Sequence, residues 1–316
     1  MTETASCEIR AGVPVRSAMS SPTVVRDQVP PLVSPDWVAR RLADPAVRLV
    51  DIRSVVDGGG RAAYLTAHIP GAVHSDYVED GWRATKGMAS GLLPEADVLA
   101  ALLGGIGLGP EQIAVVISAG TSAGDFAAAA RVYWTLRVAG HRLVTILDGG
   151  MAAWSADPSR PVVGGPSRKP EAPPYPVALA GAARALLPRV VRAVATDDAV
   201  LLDTRALAFF EGRAKSPQAL RPGRLPGAVM IDHTTAWDPE TSRLKDATAL
   251  STLFAHLPAG PVIAYCNTGH QAATPWFVLS EVLGRPDVSL YDGSMSEWTE
   301  EPARPVGAGP DERKRG

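Results

Sequence analysis

The chain has 316 residues, of which 46% are hydrophobic and 20% charged, and this composition is typical of a soluble globular protein. Its formal net charge of −2 gives no reason to expect nucleic acid or an acidic membrane surface as a partner. No apolar run reaches the ~18 residues of a membrane span. The length predicts two domains rather than one core.

The two ends of the chain differ in composition from its middle. Residues 1–29 are polar and contain no continuous apolar core, so they do not form a convincing secretory signal, and we expect a loosely packed tail and a cytoplasmic protein. Arg10, Arg16 and Arg26 leave a transit peptide open as an alternative. Residues 306–316 are small and charged, and we expect a disordered tail there.

Short apolar runs alternate with helical patterns along residues 30–157, the predicted first domain. Ser34 is a suitable N-cap, and Pro35 fits the first position of the helix that follows it. Buried strands are predicted at 48–52, 113–117 and 143–147. This alternation predicts an α/β fold with a mainly parallel sheet flanked by helices, in which ligands bind at the carboxyl ends of strands.

Residues 158–178 separate this region from a second predicted domain at 179–305. Seven prolines occur between Pro158 and Pro176. Proline removes backbone donors and disfavours helix in the residue before it. We therefore expect an extended, semi-rigid linker between the domains.

The two halves of the chain repeat each other. Three segments of the first half match segments of the second in the same order: "VRLVDIR" (47–53) with "AVLLDTR" (199–205), "IPGAV" (69–73) with "LPGAV" (225–229), and "ILDGGMAAW" (146–154) with "LYDGSMSEW" (290–298). Such order and spacing indicate duplication of a unit of domain size.

The second half contains Cys266, which is one of two cysteines in the chain; the other, Cys7, lies in the N-terminal tail. Two cysteines cannot form a disulfide framework, and their scarcity fits a reducing compartment or a reactive thiol. An apolar strand leads to Cys266, and Pro275 is tolerated only in the first turn of the helix that follows. That helix is therefore predicted to begin near Ala272 or Ala273.

A turn between a strand and a helix suits an anionic sulfur. The first amides of a helix lack internal partners, and together with the helix dipole they favour the thiolate, the nucleophilic form of cysteine. Gly269 allows a tight turn, and His270 offers a positive or hydrogen-bonding group at its rim. Seen alone, a cysteine at a strand end is more often a buried structural residue, and the turn residues and helix start that follow Cys266 favour a reactive role instead.

Two other thiol chemistries fit the sequence poorly. A cysteine phosphatase needs an arginine six positions after the cysteine to bind phosphate, and this chain has Ala272 there. Metal binding needs further ligands, but no second cysteine lies nearby, and His270 and His256 do not make a ligand set. We expect no metal and no cofactor.

The tandem repeat, the linker, both "PGA" motifs and the single cysteine loop resemble the two-domain rhodanese-type sulfurtransferases over about residues 30–303. The loop "CNTGH" is similar to that of a bacterial subgroup usually described as thiosulfate sulfurtransferases. The resemblance implies two tandem rhodanese-like domains with a catalytic second one. The first half agrees, having no cysteine after residue 7. Counting back from Asp148 places Ser122 opposite Cys266, although a gap would move this equivalence.

The same resemblance implies the chemistry. Cys266 would take a sulfane sulfur from thiosulfate as a persulfide and pass it to cyanide, a thiol or a protein acceptor. The loop implied to cradle that sulfur consists of Asn267, Thr268, Gly269, His270, Gln271 and Ala272. Arg205 matches the substrate arginine of the Asp-x-Arg segment, and Arg213 lies near a second substrate arginine.

The donor itself is less well defined, because the loop departs from two family patterns. Asn267 and Thr268 replace the Arg and Lys of the animal thiosulfate enzymes, and Asn-Thr-Gly-His replaces the Gly-Ser-Gly-Val of the mercaptopyruvate enzymes. A 3-mercaptopyruvate sulfurtransferase and a non-catalytic sulfur-relay module are the alternative functions.

Overall fold

The computed structural model describes residue 1 and residues 29–167 and 172–310. The predictions for the N-terminal tail, with Cys7 and its three arginines, and for residues 311–316 concern parts of the chain outside the described residues. Within the described ranges, no helix combines the length and apolar character needed to cross a membrane.

The first domain is built on a five-stranded parallel sheet with the strand order β1-β7-β6-β2-β3. Its elements are β1 (Leu32–Val33), α1 (Pro35–Ala39), β2 (Val47–Asp51), α2 (Gly60–Thr66), β3 (Val73–His74), β4 (Ala84–Lys86), β5 (Ala89–Leu92), α3 (Ala96–Gly105), β6 (Ile113–Ile117), α4 (Ala123–Val138), β7 (Val144–Leu147) and α5 (Gly150–Ser155). Strands β4 and β5 form a separate antiparallel hairpin.

The second domain repeats this plan with a four-stranded parallel sheet in the order β13-β12-β8-β9. Its elements are α6 (Leu187–Thr196), β8 (Val200–Asp203), α7 (Leu207–Phe210), β9 (Val229–Met230), β10 (Trp237–Asp238), β11 (Arg243–Leu244), α8 (Ala247–Phe254), β12 (Val262–Tyr265), α9 (Ala273–Phe277), β13 (Val288–Leu290) and α10 (Ser294–Trp298). Strands β10 and β11 form the matching hairpin, and a π-helical turn, Val278–Val282, continues α9.

The sequence signals for these elements are confirmed at several places. The Ser34 hydroxyl accepts a hydrogen bond from the Trp37 amide at 3.2 Å, and Pro35 occupies the first turn of α1. The predicted strand at 113–117 is β6, and the other two predicted strands overlap β2 and β7. Both sheets are parallel and flanked by helices, as the alternating pattern predicts.

The repeat extends to details at the end of each domain. The indole nitrogen of Trp154 donates to the Pro161 carbonyl at 3.0 Å, and that of Trp298 donates to the Pro305 carbonyl at 2.9 Å. Shortly afterwards, Gly307 exchanges two backbone hydrogen bonds with Arg224. Residues 306–310, which the sequence places in the charged tail, therefore lie against the second domain.

The described part of the proline-rich linker lies on the first domain. The Tyr175 amide donates to the Ala100 carbonyl at 2.9 Å, and its side chain is buried. The Ala178 amide donates to the Ala139 carbonyl at 3.1 Å. These contacts anchor the linker before the second domain begins.

The two domains share one hydrophobic core, centred where α4 of the first domain packs against α9 of the second. The ring centroid of Phe126 lies 5.8 Å from those of both Trp237 and Phe277. Tyr133 meets Phe277 edge to face at 5.0 Å. This packing holds α4 beside the loop that connects β12 to α9.

Candidate active site

Cys266 follows β12 at the carboxyl end of the second sheet and is 1% exposed. Ala272 caps the helix that begins at Ala273, which confirms the helix start predicted from Pro275. Gly269 adopts a φ of +70°, a conformation that glycine reaches without strain. The residues from Cys266 to Ala272 thus form a tight loop around a buried thiol.

The Ser294 hydroxyl fixes the shape of this loop. It accepts hydrogen bonds from the amides of Cys266 at 3.0 Å and Gly269 at 3.1 Å, and it donates to the Tyr291 carbonyl at 2.8 Å. Ser294 has a φ of +49°, which is costly for a residue with a Cβ and is tolerated mainly where the surrounding structure requires it. The loop is therefore held by a side chain from the next strand–helix connection.

Other amides of the loop have no such partner. Within the described residues, the backbone N–H groups of Asn267, Thr268, His270, Gln271 and Ala272 have no hydrogen-bond acceptor. Buried backbone donors are nearly always paired in proteins. A row of unpaired donors beside a thiol is suited to stabilising an anion on sulfur.

The first domain covers the loop. Gly91 of β5 lies so close to Thr268 that a Cβ at position 91 would overlap the Thr268 carbonyl oxygen. Arg131 of α4 is fully buried and donates to the carbonyls of Gly269 at 3.1 Å and Gly91 at 2.8 Å. Arg131 thus joins the loop of one domain to the hairpin of the other.

His270 bridges the domains as well. Its Nδ1 atom lies 2.8 Å from the Tyr77 hydroxyl of the first domain. Burial, reinforced by the positive charges of Arg83, His233 and Arg131, lowers the pKa of His270 to about 3. His270 is therefore neutral at pH 7. Of the two roles predicted for it, the structure fits a hydrogen-bonding group better than a positively charged group.

The two predicted substrate arginines lie in different surroundings. Arg205 is 2% exposed, forms a bidentate ion pair with Asp203 and donates to the Asn267 side-chain oxygen at 3.2 Å. Arg213 has a side chain that is 61% exposed and pairs with Glu211 at 2.6 Å. Of the two, Arg205 is the one that contacts the cysteine loop through a hydrogen bond.

The corresponding loop of the first domain begins with a serine where the second has Cys266. Ser118 follows β6 as Cys266 follows β12, and the amides of Met151 and Met295 donate to the Ser118 and Cys266 carbonyls respectively. The structure therefore aligns Ser118, and not the Ser122 obtained by counting, with Cys266. Counting gives the wrong residue because the segment from Ser118 to Asp148 is longer than the matching segment from Cys266 to Asp292. Neither serine offers a thiol.

Asp125 fills the first loop with a charge of its own. Its carboxylate accepts hydrogen bonds from the amides of Ala119, Gly120 and Thr121. Burial raises the pKa of the Asp125 carboxyl, and these three hydrogen bonds oppose that shift. The amides that would face a ligand in the first domain thus already donate to a carboxyl group of the chain itself.

A profile of the rhodanese-like domain matches residues 34–157 and again residues 188–301, and together these cover most of the chain. The chain belongs to the rhodanese-like family. The first matched region contains four of the five strands of the first parallel sheet and the second contains the whole second sheet, so each sheet is the core of one rhodanese-like domain.

Two relatives of this rhodanese-like chain bear different names. It is 32% identical over 288 residues to the thiosulfate sulfurtransferase of Pseudomonas aeruginosa, across 89% of this chain and 98% of that protein. It is 30% identical over 274 residues to the 3-mercaptopyruvate sulfurtransferase of Escherichia coli K12, across 84% and 94%. The crystal structure of the 3-mercaptopyruvate sulfotransferase SseA from Escherichia coli superposes with a TM-score of 0.71 and 27% identity, covering 84% of this chain and 99% of that one.

Sequence reasoning missed most of the rhodanese-like site's supporting residues. Ser294 left a detectable signal, because the repeat aligns it with Gly150, so "DGS" replaces "DGG" beside the cysteine loop. Tyr77, Gly91 and Arg131 left none, since they lie far from Cys266 in sequence and reach the loop only through domain packing. No cluster of three or more potential metal-ligating side chains occurs among the described residues.

Proposed function

We propose that this protein is a thiosulfate sulfurtransferase that carries sulfur as a persulfide on Cys266. One observation carries the proposal: the thiol sits among backbone amides that have no acceptor within the described residues. Backbone donors of this kind stabilise negative charge without any reorganisation during the reaction. The names of these two relatives agree with sulfur transfer as the reaction class.

The first half-reaction moves one sulfur atom. The Cys266 thiolate attacks the outer sulfur of thiosulfate, a new S–S bond forms, and the bond to the sulfonate sulfur breaks. Sulfite leaves with the bonding electron pair, and a persulfide anion stays on Cys266. The loop amides from Asn267 to Ala272 are placed to bind that terminal sulfur.

The second half-reaction restores the enzyme. A nucleophilic acceptor, cyanide or a thiol, attacks the terminal sulfur, and the electron pair of the broken S–S bond returns to the Cys266 thiolate. Cys266 is 1% exposed, so the proposal favours slender acceptors, including a protein thiol at the end of an extended segment. Arg205 and Arg213 remain the predicted substrate arginines, with Arg205 acting at the Asn267 side of the loop.

The domain roles are part of the same proposal. The second domain, 179–305, contains the reacting thiol, and the first domain, 30–157, is non-catalytic. Its loop supports this assignment, because Ser118 replaces the cysteine and Asp125 takes the loop amides. We also place the protein in the cytoplasm, on the polar composition of residues 1–29, and cell fractionation with an antibody tests this location.

The donor is tested by steady-state kinetics with thiosulfate and 3-mercaptopyruvate, using cyanide as acceptor. We expect a higher kcat/KM with thiosulfate and, after exposure to donor alone, an intact mass raised by about 32 Da, one sulfur atom. A strong preference for 3-mercaptopyruvate would make that compound the donor instead. A stable adduct that small acceptors barely discharge would favour the sulfur-relay module.

A further inference from the structure

The positive charge available to a donor in this site comes from few groups. The two predicted substrate arginines are each paired with a carboxylate, Arg205 with Asp203 and Arg213 with Glu211. Arg131 is 0% exposed, and its two terminal nitrogens already donate to backbone carbonyls. His270 is neutral at pH 7. A dianionic donor needs a cation that is both unpaired and within reach of solvent.

Arg83 of the first domain meets both conditions. It immediately precedes β4 and is partly buried, with its guanidinium 4.7 Å from the ring centroid of Tyr77. Its Nε–H is buried without a hydrogen-bond partner, and no carboxylate pairs with the guanidinium within the described ranges. A buried guanidinium donor without an acceptor is rare in folded proteins and calls for an explanation.

The position of Arg83 relates it to the cysteine loop. Its guanidinium stacks on Tyr77, and the Tyr77 hydroxyl is hydrogen-bonded to His270 of the loop at 2.8 Å. The charge of Arg83 is close enough to lower the pKa of His270, after burial itself. Burial raises the pKa of Tyr77, and the positive charges of Arg83 and Arg131 oppose that shift.

We propose that Arg83 binds the anionic end of the sulfur donor, so that the non-catalytic domain supplies the cation that recognises the substrate. This inference rests on the proposed sulfur transfer at Cys266. The ligand class is a small donor whose sulfane sulfur adjoins a sulfonate or carboxylate group. An arginine suits this role, because its planar fork binds two oxygens of such a group at once.

The division of tasks has a chemical consequence. The amides around Cys266 bind the transferred sulfur, whereas Arg83 binds the part of the donor that leaves. Because the leaving group is released after the first half-reaction, loss of Arg83 affects donor binding more than it affects sulfur discharge to the acceptor.

Steady-state kinetics test this with Arg83→Gln, Arg83→Lys and the control Arg40→Gln. Arg40 is an exposed first-domain residue at the end of α1, so its variant makes the same charge change away from the loop. We expect Arg83→Gln to raise the thiosulfate KM about tenfold or more, Arg83→Lys to raise it less, and Arg40→Gln to leave it unchanged. The KM for cyanide should change less than the thiosulfate KM in both Arg83 variants. A thiosulfate KM for Arg83→Gln within twofold of wild type overturns the inference.

Alkylation of Cys266 provides a readout independent of turnover. The ratio of the rate with anionic iodoacetate to that with neutral iodoacetamide reports the positive potential at the thiol. We expect this ratio to fall about fivefold in Arg83→Gln and to keep its wild-type value in Arg40→Gln. An unchanged ratio in a folded Arg83→Gln protein contradicts the inference.

The two proposals fail in different ways. If the mass of the wild-type protein does not rise by about 32 Da, one sulfur atom, after exposure to thiosulfate, the proposed function is wrong. If wild type forms the adduct normally but Arg83→Gln has a wild-type KM and alkylation ratio, only the role of Arg83 is wrong. A role in stacking alone would lower the melting temperature of Arg83→Gln without a selective rise in the donor KM.

Discussion

The loops after β6 and β12 occupy equivalent places in the two domains yet differ in what their amides bind. In the first domain, Ser118 occupies the thiol position and the Asp125 carboxylate accepts three of the loop amides. In the second, Cys266 occupies that position and five amides have no acceptor among the described residues. The same loop arrangement can therefore form a site whose amides bind a side chain of the protein, as in the first domain. It can also form a site whose amides are left for an anionic ligand, as in the second.

The supports of the two loops differ in a related way. Gly150 in the first domain approaches the loop backbone so closely that a Cβ would meet the Ser118 carbonyl oxygen. Ser294, at the matching position, has a similar positive φ but carries a hydroxyl that accepts two loop amides. In the second domain the Ser294 hydroxyl therefore fixes the loop through the amides of Cys266 and Gly269. The other amides of the loop remain available to bind a ligand.

The largest expected effect on activity comes from replacing the first residue of the second loop, Cys266, and the matched residue of the first loop, Ser118, provides the comparison. Cys266→Ser should lower sulfur transfer by more than about 1,000-fold, because no other nucleophile is present at that position. Ser118→Ala, the matched change in the first loop, should leave turnover within about twofold of wild type, as is usual away from the reacting atoms. Turnover, and the intact mass after exposure to the donor, should be measured for both variants. Transfer activity that survives Cys266→Ser would defeat any mechanism based on this thiol.

The second prediction concerns the contact between the domains. Gly91→Ala should lower kcat/KM by about 100-fold, because its Cβ would displace the Thr268 carbonyl and shift the loop around Cys266. Gly81→Ala is the control: Gly81 also has a positive φ, of +91°, but a Cβ added there would meet no atom within 4 Å. Both variants carry backbone strain, so only the overlap with the loop distinguishes them. Equal activity of the two variants would show that the hairpin does not position the loop.

Asp125→Asn should act on stability alone. The amide would weaken the charge-assisted hydrogen bonds from the first loop, and we expect the free energy of unfolding to fall by about 1–3 kcal/mol. Urea unfolding followed by fluorescence measures the loss. Turnover by the folded variant should equal that of wild type, and a marked drop in turnover would assign the first loop a part in the reaction.

The smallest effect concerns acid sensitivity. Burial lowers the pKa of His270 to about 3 and that of His141 to about 4, whereas an unfolded histidine titrates near 6.5. Below pH 6.5 the unfolded chain therefore binds protons that the folded chain does not, and stability falls. At pH 5 each histidine should cost about 2 kcal/mol relative to pH 8.

The variant His270→Gln isolates the contribution of the second loop. The loss of stability between pH 8 and pH 5 should be smaller in this variant than in wild type, whereas substitution of the exposed His256 by Gln should not change it. Urea unfolding at both pH values provides the comparison. An identical loss in His270→Gln and wild type would mean that His270 is protonated in the folded protein at pH 5.

The sequence determined the features that depend on neighbouring residues. The duplication, the parallel α/β plan, the start of the helix at Ala273 and the exclusion of a phosphatase by Ala272 all follow from local patterns. The position of Cys266 after a buried strand belongs to this group, because strand, turn and proline signals act over a few residues.

Only the tertiary structure decided what surrounds the thiol. Counting along the chain misplaced the first-loop equivalent at Ser122, since a length difference between the halves is invisible without paired strands. Gly91, Arg131 and Tyr77 reach the Cys266 loop because α4 packs on α9 and brings residues of the other domain to it. Such contacts depend on how two cores meet, and no local periodicity encodes them.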